Sequence, residues 1–178
     1  MLKRKSKDDA PVTTAEFDAV PVQVFSKSGW IIGKVHIQSG WNLMSLFENS
    51  KEYISLTEVI LEGRPKVIPV FTLHRSAILF LKPERELNQS HVADSRNRVV
   101  HPVSFLLTNG SLYGMAEVTK GVRLAAYLSR QTGFLLVQNC HYRLHNPWER
   151  RILDHTEPVL LLNPSAIIGF SEWVKDEE

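Results

Sequence analysis

The sequence holds a single cysteine, Cys140, among 178 residues. One thiol builds neither an internal disulfide framework nor a thiolate zinc cage, so neither can staple this fold. Such usage fits a reducing, cytoplasmic location. Long apolar runs are missing as well. The strongest stretches are of the Ala77-Ile78-Leu79-Phe80-Leu81 and Val159-Leu160-Leu161-Leu162 kind, well short of the roughly 18 apolar residues of a membrane-spanning helix. Nor is charge of one sign in excess: 21 Lys and Arg stand against 19 Asp and Glu, a net +2, whereas a nucleic-acid protein is expected to be strongly and locally basic. There is no Gly-x-Ser-x-Gly elbow and no phosphate-cradling glycine loop. These absences point to a non-enzyme with no cofactor and no metal.

What the chain does have is a repeat. Gly29, Gly33, Gly40 and Leu43 recur as Gly110, Gly114, Gly121 and Leu124, an offset of 110 − 29 = 81. Pro69 to Ile78 recurs as Pro158 to Ile167 at an offset of 158 − 69 = 89, so the second copy carries 89 − 81 = 8 additional residues. The organisation read from this is a basic N-terminal tail over 1–20, one repeat over 21–83, a polar linker over 84–101, a second repeat over 102–174 and an acidic tail over 175–178. Units this small bury only about 60% of the surface their unfolded chain exposes. The copies are therefore expected to pack against each other or a partner, and isolated halves to be poorly stable.

Each copy reads as mainly β. Val22 to Phe25, a turn ending at Gly29, and Trp30 to Ile37 form a hairpin, repeated by Val103 to Leu107, Asn109-Gly110 and Tyr113 to Val118. Asn-Gly is a strong hairpin signal because both residues tolerate positive φ. Gly33 and Gly114 fall inside strand patterns, where a glycine permits a sharp bend. Asn42 to Phe47 and Arg123 to Leu128 place apolar residues three and four apart and read as short helical turns. Further strands follow around Tyr53 to Leu61 and Phe134 to Tyr142, then apolar pairs around Val67 to Leu81 and Leu153 to Phe170.

The order of hairpin, glycine-bent strand, short strands and a final apolar strand entered through Ser-Ala-Ile resembles the Sm-like small β-barrel, here in tandem, and is similar to bacterial domains of unknown function that share that barrel. The resemblance covers about 130 residues in two copies and implies two small barrel units with short helical turns. In RNA-binding members an acidic residue and an asparagine follow the strand glycine, and an Arg-Gly pair precedes the last strand. Here Ser39 and Leu43, then Lys120 and Leu124, occupy the first positions, and His74-Arg75 and Asn163-Pro164 occupy the second. The resemblance thus implies the barrel without that family's RNA pocket.

Three places carry candidate chemistry. His141, His145 and His155 lie near Cys140 and invite zinc, yet no acidic ligand has a matching register, and the first copy has Ile60 and Arg64 at the offset of His141 and His145. His91, Asp94 and Ser95 cluster only in the linker, which does not hold catalytic geometry. The insertion between Cys140 and Pro158 mixes Tyr142, Trp148, Arg150 and Arg151, the residue types enriched at binding hot spots. Trp30, whose repeat partner is Ser111, adds a contact candidate. In the tail, Lys3, Arg4 and Lys5 lead a run in which each basic residue is worth about 1 kcal/mol near an anionic membrane. The expectation is a structural or interaction subunit that docks onto a larger protein assembly, cytoplasmic and peripheral to the inner face of a membrane. A nucleic-acid or nucleotide-binding regulatory module is the second reading, since aromatic and basic side chains together also stack bases.

Overall fold

A computed structural model describes residues 16–49, 52–83, 98–130 and 133–172. Ten strands dominate it. In chain order these are β1 (Phe17–Ser26), β2 (Gly29–Gln38), α1 (Leu43–Asn49), β3 (Tyr53–Leu61), β4 (Ile68–His74) and β5 (Ile78–Pro83), then β6 (Arg98–Leu107), β7 (Gly110–Thr119), α2 (Leu124–Arg130), β8 (Leu135–Asn146), β9 (Arg151–Leu162) and β10 (Ile167–Glu172). A single 3-10 turn precedes each half's last strand, at Arg75–Ala77 and Pro164–Ala166. The linker, both tails and the Lys3-Arg4-Lys5 run lie largely or wholly outside the described residues. Two expected boundaries move: β1 opens at Phe17, inside the expected tail, and β6 at Arg98, inside the expected linker.

The duplication is visible strand by strand. β1 and β6 are displaced by 98 − 17 = 81 positions, as are β2 and β7 (110 − 29 = 81) and the two helices (124 − 43 = 81), while the 3-10 turns are displaced by 164 − 75 = 89. Hairpin β1–β2 pairs without interruption from Phe17↔Gln38 to Ser26↔Gly29, and β6–β7 from Arg98↔Thr119 to Leu107↔Gly110. The turn residues are Thr108 and Asn109 rather than Asn109 and Gly110. Gly110 sits one position later with φ 148°, where the Arg143 carbonyl approaches too closely for any side chain.

Both mid-strand glycines mark β-bulges. Ile32 pairs Ile60 and Lys34 pairs Thr57, so Glu58 and Val59 together oppose Gly33; likewise Asn139 and Cys140 oppose Gly114. The extra residue on the opposing strand takes the left-handed conformation, Glu58 at φ 52° and Asn139 at φ 48°. A bulge of this kind bends the strand and sharpens its twist. The bend brings the neighbouring strand close to Gly114, where a Cβ would lie 2.5 Å from Val137 Cγ1 and 3.0 Å from the Gln138 carbonyl. Gly114→Ala is therefore expected to cost about 2 kcal/mol through overpacking, read as a lowered urea midpoint with unchanged slope. A loss below about 0.5 kcal/mol would mean the bend relaxes freely.

The strands form one antiparallel sheet in the order β10-β6-β7-β8-β9-β5-β1-β2-β3-β4. Each half thus runs fifth strand, then first to fourth, and the halves join where β5 pairs β9 through Phe80↔Leu162 and Leu81↔Leu161. The sheet is not closed: among the described residues β4 and β10 each have one hydrogen-bonded neighbour. Two apolar clusters lie along it, and they exchange residues across the joint. Phe134 and Leu161 of the second half sit with Val22, Ile31, Leu56 and Ile78 of the first, while Phe25, Leu79 and Phe80 of the first sit with Phe105, Leu112 and Leu160 of the second. Each half's core is therefore completed by the other.

Candidate interaction surface

The eight additional residues lengthen one hairpin. β8 and β9 have 12 residues each, against 9 and 7 for β3 and β4. Strict alternation along β8 buries Cys140, Tyr142, Leu144 and Asn146 and exposes His141, Arg143 and His145. The tip of this hairpin reaches the first half. Asn146 is fully buried; its Nδ2 donates to Glu62 Oε1 at 2.8 Å, and its Oδ1 accepts from the Trp148 amide at 2.9 Å. Glu62 Oε2 in turn accepts from the Trp30 amide at 2.9 Å. The Trp148 indole lies against Gly63, whose φ of +71° and missing side chain leave it room, and the Trp148 Cβ lies beside Gly29. The insertion thus clasps the β1–β2 and β3–β4 turns.

A cleft of about 310 Å³ opens beneath the clasp, lined by residues including Gln23, Trp30, Glu62, Lys82, His155 and Glu157. Its charged groups are each partnered. Lys82 Nζ pairs Glu157 at 2.6 Å, Arg151 pairs Glu149, and Glu62 is held by the Trp30 and Asn146 donors. Burial, reinforced by the Glu157 carboxylate, pushes the Tyr142 hydroxyl up to about 12. Burial likewise pushes the Cys140 thiol up to about 12, and its Sγ donates to the Val137 carbonyl at 3.1 Å. A thiol so desolvated is little ionised at neutral pH, and the thiolate is the form that attacks or binds metal. His141 pairs Asp154 at 2.7 Å on the exposed face, away from Cys140. Among the described residues no three His, Cys, Asp or Glu side chains converge as a metal site would require.

The sequence candidates fall into three groups. Tyr142 is buried with its ring 5.3 Å from Phe80, whereas Trp30 is half-buried, 5.0 Å from Phe25, and lines the cleft. Trp148, Arg150 and Arg151 are exposed together at the hairpin tip, Arg150 at φ 53°. Lys3, Arg4 and Lys5 lie outside the described residues.

Sequence reasoning missed the two sheet ends. β4 exposes Val70 at 61%, and β10 exposes Ile168 at 65% and Phe170 at 37%. Both strands are short and largely uncharged, without the Lys residues that commonly blunt an edge, although Pro69 interrupts β4. The available signal was apolar residues on both faces of Ile167-Ile168-Gly169-Phe170, unexpected for a strand with a solvated side. No helix among the described residues is long and apolar enough to cross a membrane. The chain matches no protein-family model, no curated protein and no solved structure.

Proposed function

We propose that this chain is a non-enzymatic structural and interaction subunit that docks onto a larger protein assembly. The observation that carries this reading is the open sheet: among the described residues β4 and β10 each pair on one side only, and both expose apolar side chains. Exposed strand edges pair readily with other chains, and an apolar patch on an edge marks a surface that another protein covers. In the same reading each half is one Sm-like small barrel wrapped around its own bulged strand, and the assembly lies at the cytoplasmic face of a membrane, where Lys3, Arg4 and Lys5 contact anionic lipid. Nucleic-acid binding is less well supported, because Arg151 at the tip is already paired to Glu149 and Trp148 rests on Gly63.

The test is capture of the tagged chain from its native cells in mild detergent, with and without nuclease. Stoichiometric proteins that survive nuclease are the expected result. Recovery of nucleic acid alone, or loss of every protein on nuclease treatment, overturns the reading.

A further inference from the structure

The joint between the halves is short. β5 and β9 pair only through Phe80↔Leu162 and Leu81↔Leu161; one residue further along, Lys82 pairs Gln23 of β1, while among the described residues the start of β9 pairs β8 alone. The two strands therefore part, and the cleft of about 310 Å³ fills the fork, with His155 and Glu157 on the β9 wall and Gln23 and Lys82 on the other. A second hollow of about 290 Å³ continues from it. The two share Gln23, Trp30 and Glu62, and the second adds Ile32 and Ile60, each 41% exposed. One groove thus runs from an open apolar shelf to a half-buried polar end. Concave sites of this mixed kind, at the joint of two packed units, are where ligands commonly bind.

Charge decides what kind of ligand fits. The lining carries the carboxylates of Glu62, Glu149 and Glu157 against Lys82 and Arg151, an excess of 3 − 2 = 1 negative charge with His155 neutral. That excess rests on Glu62. Glu157 is paired with Lys82 and Glu149 with Arg151, whereas the donors to Glu62, the Trp30 amide and the Asn146 carboxamide, are both neutral. Neutral donors fix a carboxylate in place without cancelling its charge, and each of its oxygens keeps a lone pair. With one donor already on each oxygen, what remains suits a compact ammonium better than the two-pronged guanidinium. Trp30 stands beside it, its ring held 5.0 Å from Phe25 and 5.9 Å from Phe80. An indole face attracts a cation more strongly than any other side-chain ring.

The shelf determines the rest of the ligand. Ile32 and Ile60 offer a lining for methylene groups, which a lysine stem covers while its ammonium reaches beyond them. Because the shelf lies at the surface and Glu62 further in, the ligand enters cation first from outside.

We propose that the groove takes a lysine side chain presented by the docked partner, its stem along Ile32 and Ile60 and its ammonium between Glu62 and Trp30. This rests on the interaction-subunit reading and gives the chemistry of one contact within it. The cleft already holds one ammonium in this manner, Lys82 Nζ on Glu157 at 2.6 Å.

Titration of the isotope-labelled full chain with Nα-acetyl-lysine amide, followed by NMR, tests it, because the Trp30 amide reports directly on Glu62. Its resonance should shift and saturate with a Kd of about 1 mM, the scale of a small ligand held by a few contacts. The same probe acetylated on its ammonium, and so uncharged, should bind about tenfold more weakly or worse. Glu62→Gln should weaken binding of the charged probe by about tenfold, through loss of the uncancelled charge. Since Glu62 also anchors the clasp, a second variant, Ile60→Lys, leaves its hydrogen bonds in place and sets a competing ammonium on the exposed shelf; it should weaken binding as much. Equal affinity for the acetylated probe, or an Ile60→Lys variant that binds like the wild type, overturns the inference. So does saturation by spermidine with none by the lysine probe, which would make the groove a site for a free polyamine. If no probe binds while nuclease-resistant proteins are still captured from cells, the docking reading stands and the lysine contact falls.

Discussion

Replacing Phe80 with alanine is expected to remove about 3–5 kcal/mol of stability, although the residue sits on a strand of one half and the damage falls on the core of the other. Phe80 is fully buried, belongs to the second half's apolar cluster, and lies 5.3 Å from the Phe25 ring, 5.3 Å from Tyr142 and 5.9 Å from Trp30. Truncation loses the transfer free energy of the ring and leaves a cavity among rigid aromatics that collapse poorly. The total stability of a domain is about 5–15 kcal/mol, so this single change removes a large part of it. Urea unfolding followed by Trp fluorescence and by circular dichroism should show both signals shifting together, since the shared core makes the halves one cooperative unit. Two separated transitions, or a loss under about 1 kcal/mol, would mean that the halves fold independently.

Asn163→Asp should be as costly at neutral pH, for an electrostatic reason. Asn163 is buried, and its amide supplies two donors to the Arg75 and Ile78 carbonyls. A carboxylate has no donor and would place its charge against two carbonyl oxygens, a cost of about 3–5 kcal/mol. The pH dependence gives the cause away. Burial and the facing carbonyls raise the folded-state pKa of the new acid above its unfolded value of about 3.9. The folded state then binds more protons than the unfolded one, so the variant's stability falls as pH rises through that window and recovers below it. Asn163→Ala, which adds no titrating group, should lose stability with no such recovery in acid. Identical pH profiles for the two variants would show that lost packing, not the charge, is responsible.

Much of the fold is written locally and could be read there. The hairpins follow from alternation in Val22 to Phe25 and Trp30 to Ile37, the helical turns from the spacing of Leu43 and Phe47, and the bends from Gly33 and Gly114. The β5–β9 junction is not written locally, because nothing near Phe80 states which strand 82 positions later it will meet. For the same reason Phe134 reads as an ordinary core residue of its own half, while it stacks on Phe47 at 4.4 Å in the other, under the Arg75 guanidinium at 5.4 Å. That setting strips Arg75 of water and lowers its pKa below the ordinary value.

The candidate surface was half legible. Hot-spot composition marked the insertion, and Trp148, Arg150 and Arg151 are indeed exposed at its tip. Composition alone also drew in Tyr142, whereas the period of two along β8 assigns Tyr142 with Leu144 to the buried face. The left-handed backbone at Glu58 left no mark, since glutamate has no preference for it, while its counterpart Asn139 is one of the few residues that tolerate it.

The exchange of core residues also bears on how the chain is made. Phe80 and its partner Leu162 are 162 − 80 = 82 residues apart, and at ribosomal rates of about 5–20 residues per second that interval lasts about 4–16 s. For that time the first half has left the ribosome without Leu161, its β5 edge bare and Phe80 without the second-half part of its pocket. A nascent chain in this state is a substrate for chaperones, and slowing or speeding translation between the two halves should change the yield of folded protein without changing any residue.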